Sequence, residues 1–149
     1  MSIKKQLRDA LTEALKAGDT QRKTTLRMAL ASIKNAEVEA REELEEDLVL
    51  NLLQKEVKAR QETIVGAKKA QRPDLIEKAE QEIKILNEFL PQQLSAEELR
   101  VLVQEAVQES GASSMAEIGK VMGALMPKIR GKADGKQANQ IVRELLGAE

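Results

Sequence analysis

From Ile3 to Leu145 the apolar residues of this chain recur at steps of three and four, and most interruptions of that rhythm carry the chemistry of a helix end. Ile3, Leu7, Leu11, Ala14 and Leu15 form one apolar face; Gly18 then reads as a C-cap and Asp19 as the next N-cap. A second helix carries Leu26, Ala29, Leu30, Ile33 and Ala36 inward and fades in the acidic stretch Glu42–Glu46. A third follows with Leu48, Leu52, Leu53, Val57 and Ile64, weakening near Gly66. No glycine or proline marks the break between the second and third. Proline is tolerated at the first helical position, so Arg72-Pro73-Asp74 opens a fourth helix, with Leu75, Ile76, Ala79, Ile83, Leu86, Phe89 and Leu90 as its apolar positions, closed by Pro91.

The next boundary is a domain join, expected near Leu90–Ser95. Ser95 to Glu98 reads as a capping box, with Leu94 and Leu99 placed to staple it, and Gly111 ends that fifth helix. Ser114 to Glu117 reads as a second box opening the sixth, and Asp134 with Gln137 as the cap of a seventh that buries Ala138, Ile141, Val142 and Leu145. The expected fold is all-α without any sheet: an N-terminal part of about four helices over residues 1–92, then a compact three-helix domain over residues 93–149.

Composition narrows the chemistry. The 149 residues include no His, Cys, Trp or Tyr and one aromatic, Phe89. Imidazole bases, thiolate nucleophiles and the usual zinc or iron–sulfur ligands are therefore missing. No catalytic residue, metal site or cofactor is expected. A platform for stacking single-stranded bases needs several aromatics, so any RNA contact must rest on phosphates, 2′-hydroxyls and shape. The net charge of −1 argues against a generally basic coat, yet charge is unevenly spread. Residues 1–34 hold eight Lys/Arg against three acids, and residues 35–53 one against seven. The basic N-terminal residues Lys4, Lys5, Arg8, Arg22, Lys23, Arg27 and Lys34 read as a solvated face or as an extension of a phosphate-binding surface. Arg27, inside an apolar run, has the alternative of pairing with an acid such as Glu56. The lysines near the start precede no apolar signal segment, and no run approaches a membrane span. The expectation is a cytoplasmic protein without membrane contact.

Residues 119–135, GKVMGALMPKIRGKADG, depart most from this pattern. At about 100° per residue, Val121, Met122, Leu125 and Ile129 fall within about 60° of Ile118 as the buried stripe. Gly119 and Gly123 lie about 100° and 140° round, on its shoulder, and Lys120 lies nearly opposite. Two helical glycines cost about 1 kcal/mol each relative to alanine, so something should compensate. One reading is close packing against the fifth or seventh helix; the other is close approach of an RNA backbone. Pro127 should kink or end the helix just before it. Beyond it, Lys128, Arg130, Lys132 and Lys136 surround a turn at Gly131 that leads to a helix N-terminus, a place where free N–H groups favour an anion, although Asp134 would compete for them.

This stretch resembles the signature of YqeY-like proteins and the tail domain of the amidotransferase B subunit. GASSMAEIGKVMG at Gly111–Gly123, the run Asn139–Val142, RMALASIKNAE at Arg27–Glu37 and LQKEVKARQET at Leu53–Thr63 fit the former. The YqeY-like resemblance extends over the whole chain, and that to the amidotransferase tail fits the second half best. In the amidotransferase the tail helps hold the acceptor tRNA, so the resemblance implies a tRNA-facing surface at Lys120, Lys128, Arg130, Lys132 and Lys136, with Gly119, Gly123 and Gly131 as close-approach or packing positions. Three function classes follow: a non-catalytic tRNA- or RNA-binding accessory protein working beside a tRNA enzyme; a helical protein-interaction module using the glycine shoulder with Met122 and Met126; and a carbon–nitrogen ligase with glutamine as amide donor. The chain carries neither a glutaminase nucleophile nor a Walker-type nucleotide loop, which sets the third aside for this chain alone.

Overall fold

A computed structural model describes residues 2–147. Among them every regular element is helical, and the chain divides into two compact units, Met1–Pro91 and Gln92–Glu149. The first holds α1 (Ile3–Ala17), α2 (Thr20–Ala40), α3 (Glu46–Lys69) and α4 (Pro73–Asn87). The second holds α5 (Ala96–Ser110), a single 3-10 turn (Met115–Glu117), α6 (Ile118–Ile129) and α7 (Gly135–Gly147).

Local chemistry explains most helix ends. Ser2 and Asp19 accept the backbone N–H of Lys5 and Arg22, capping α1 and α2, while Gly18 stands in the left-handed region at φ 70°. Ser95 accepts the Glu98 N–H at the head of α5. The expected box at Ser114 does not form: the Ser114 hydroxyl caps nothing, and Glu117 reaches back to the amide of Ser113, 3.3 Å away. The chain there winds into the 3-10 turn before α6 begins. α4 ends at Asn87, short of Pro91, and tighter turns carry Glu88, Phe89 and Leu90 onto the core.

The break between α2 and α3 is made by a tertiary contact. Arg41 adopts φ 59°, and Glu37 accepts the N–H of Leu44 at 3.1 Å, folding the acidic segment back on α2. Lys4 of α1 holds the same carboxylate at 2.8 and 2.9 Å.

The first core gathers Leu7, Leu26, Ile33, Val49, Leu53 and Leu86, each buried to within 2%. Full burial of such a side chain contributes about 1.5–3 kcal/mol. Leu15, Leu48 and Leu75, read from the sequence as core positions, are exposed, because each lies at the edge of its apolar arc where no neighbour covers it. A charge is buried instead. Arg60 is 7% exposed and bonds Glu56 and Glu82, each at 2.8 Å, and Ser32 donates to Glu56. Glu56 thus serves Arg60 of its own helix; Arg27, its alternative partner from the sequence, is exposed. The second core contains Leu99 and Val103 of α5, Val121, Leu125 and Ile129 of α6, and Ala138, Ile141 and Val142 of α7.

Candidate functional site

The α6 helix is built as an amphipathic rod with one bare side. Val121, Leu125 and Ile129 are fully buried, and Met122 and Met126 pack beside them against the same core. The Met126 methyl lies 3.9 Å from where a Cβ on Gly135 would stand, so this methionine covers the start of α7. The two methionines are thereby spent inside the unit, which removes them from the surface that an interaction module would offer.

Gly119 and Gly123 are exposed, and a Cβ added at either would meet nothing within 4 Å. The packing reading of these glycines is therefore incorrect. Their shoulder turns outward because α5 and α7 flank the buried stripe without reaching round to 100–140° on the wheel. Pro127, four residues beyond Gly123, is also exposed and continues this bare side. It does not end the helix, which runs through it to Ile129. The missing proline N–H would have bonded the Gly123 carbonyl, and the ring crowds that same carbonyl. Glycine at this spot leaves the backbone freest to tilt, and water can reach the unbonded oxygen.

The five cations have different fates. Lys128 reaches Glu109 of α5 at 3.0 Å, a half-exposed pair drawing it off the bare side. Arg130 is exposed and has an interaction partner. Lys120, Lys132 and Lys136 are exposed, and their ammonium groups make no ion pair among the described residues. Lys120 stands about 12 Å along the axis from Lys128, while Lys132 and Lys136 lie on the α6–α7 turn.

That turn is not an open anion cradle. Gly131 is buried at φ 76°, a region glycine enters without penalty. The N–H groups of Lys132 and Ala133 donate to the Ile129 carbonyl, and that of Lys136 to the Asp134 carboxylate at 3.0 Å. Asp134 takes the place an anion would occupy at the head of α7, so phosphate contact falls to side chains. Sequence reasoning missed what braces the turn. The side-chain amide of Gln93 donates to the Gly131 carbonyl at 2.8 Å, and the N–H of Leu94 to the Lys132 carbonyl at 2.9 Å. Nothing in the local sequence signals this, since both bonds join segments 38 residues apart.

The described residues contain no group of three or more Asp or Glu suited to a metal ion, and no helix among them is long and apolar enough to cross a membrane.

Comparison with known proteins adds three relatives. Altered inheritance of mitochondria protein 41, mitochondrial, from Pyrenophora tritici-repentis is 28% identical over 97% of this chain and 81% of its own length. The protein of the same name from Kluyveromyces lactis is 37% identical over 56% of this chain and 45% of its length, so the chain spans about half of that relative. A glutamyl-tRNA(Gln) amidotransferase polypeptide of Thermococcus sibiricus is 40% identical over 36% of this chain and 9% of its own length. The expected cytoplasmic location thus stands beside relatives named mitochondrial. The Yqey-like protein profile matches residues 4–146, nearly the full length, and the chain belongs to that family.

Proposed function

We propose that this protein is a non-catalytic RNA-binding accessory that docks tRNA through phosphate contacts, beside a tRNA enzyme. The observation that carries the reading is the bare outer side of α6, where Gly119 and Gly123 open onto empty space with Lys120 adjacent and Lys132 and Lys136 on the following turn. Helical glycines without a packing partner cost stability, and close approach of an external backbone would account for them. The archaeal relative named for an enzyme of glutamyl-tRNA supports RNA as that backbone. Amide transfer is not carried over, because the chain spans only 9% of that relative. The reading requires a compartment that holds tRNA, which both the cytoplasm and the mitochondrion do.

The test is retention of labelled total tRNA by purified protein across a salt series. Three unpaired lysines predict a slope of log affinity against log salt of about −2 to −3, with little sequence preference. Changing Lys120, Lys132 and Lys136 together to Glu should abolish retention with the helical circular dichroism unchanged. Wild-type protein that ignores tRNA at low salt while co-purifying with a protein partner would transfer the bare side to the interaction-module reading.

A further inference from the structure

The first unit carries a second recess, unrelated to α6. Its floor is the Lys4–Glu37 pair, in which a buried carboxylate is held by the ammonium and by the Leu44 N–H. The Lys4 hydrogen bond, followed by that of Leu44, keeps Glu37 below the ordinary value of 4.5, so the floor is a closed, internally neutral pair. Above it opens a cleft of about 370 Å³. Arg8, one turn beyond Lys4 on α1, and Lys34 of α2 supply its cations. Glu42 and Glu43 supply carboxylates from the loop that the left-handed Arg41 turns back over α2.

These four rim charges sum to zero, and none makes an ion pair among the described residues. Opposite charges sharing one recess within reach of each other would pair; here the poles stay apart, leaving a polarised space between them. A phosphate entering it would meet Glu42 and Glu43, and a divalent cation would meet Arg8 and Lys34. A ligand that is itself neutral overall but charged at both ends satisfies both poles at once. Its carboxylate suits the guanidinium fork of Arg8, and its ammonium suits the glutamates. Val38, 64% exposed in the cleft wall, is the apolar surface available to the remainder of the ligand.

We propose that this cleft binds a small zwitterion, an α-amino acid with an aliphatic side chain, with its carboxylate toward Arg8 and Lys34 and its ammonium toward Glu42 and Glu43. The site is independent of the RNA reading and stands or falls separately from it.

The experiment is an amide-detected NMR titration of the full chain with L-leucine, N-acetyl-L-leucine and L-leucinamide. Leucine should give saturable shifts centred on residues 4–8, 34–38 and 42–44, with each capped analogue weaker by about tenfold, the loss expected for one charge-assisted contact. Arg8→Gln should weaken leucine by a similar factor yet leave leucinamide unchanged, since the amide lacks the carboxylate that Arg8 holds. Glu42→Gln with Glu43→Gln should weaken leucine and spare N-acetyl-leucine. Melting curves of these exposed-site variants should match the wild type. Non-saturating shifts, equal affinity for the capped analogues, or saturation mapped elsewhere would overturn the proposal.

Discussion

Replacing Gly119 or Gly123 by alanine offers a sharp measurement on this molecule. Both sit inside α6, and a methyl at either position would meet no atom within 4 Å. With no clash to oppose it, the gain in helix propensity should appear nearly whole, about 0.5–1 kcal/mol at each position. The second unit spans 58 residues, from 92 to 149. In a domain of that size such a gain raises the melting midpoint by about 2–8 °C. The assay is urea unfolding by circular dichroism, with amide exchange at Val121 and Leu125 reporting on α6 itself. The two sites control one another. Gly123 lies four residues before Pro127 and must accommodate the ring, whereas Gly119 has no such burden. If Gly119→Ala stabilises and Gly123→Ala destabilises, glycine is needed at 123 to tolerate the proline. If both destabilise, open space beside the two glycines is refuted outright. If both stabilise while tRNA retention falls, the glycines serve an external contact at the expense of stability.

Two further predictions concern the first unit. Arg60→Met should destabilise by about 2–3 kcal/mol, below the full penalty of a broken buried pair because Glu56 and Glu82 keep some contact with water, and adding Glu56→Gln and Glu82→Gln should recover most of it; an unchanged urea midpoint for Arg60→Met would refute the network's role. Glu37 is held below its ordinary 4.5 by Lys4 and Leu44, so its contribution is fully present above that pH and is lost as pH falls through the lower folded value; the acid side of the stability profile should flatten in Glu37→Gln, as measured by urea midpoints between neutrality and pH 3.

How far the sequence could be read depended on whether each feature was local. Gly18 with Asp19, Pro73 and Ser95 mark their helix ends because the cap and the group it satisfies lie within a few residues. The α2–α3 break carried no such mark, since it depends on Glu37 reaching Leu44 and Lys4 across 7 and 33 positions. Ser114 shows the opposite failure, where a correct local motif lost to a 3-10 turn that used Ser113 instead. In α6 the wheel placed Gly119 and Gly123 correctly in angle, but angle alone does not say where neighbouring helices stop, and that decided between packing and exposure. The cationic turn was visible as composition. Its division into unpaired and occupied lysines was not, because Glu109 lies on another helix.

The bonds from Gln93 and Leu94 to the α6–α7 turn change where the second unit begins. The capping serine at position 95 starts the helix, but the folded body starts earlier, at the segment just after Pro91 that is laid across the turn. A tug on the linker is therefore delivered to the carbonyls of Gly131 and Lys132 before it reaches α5. The stretch that tethers the two units doubles as a latch on the loop bearing Lys132, so the freedom of one sets the freedom of the other.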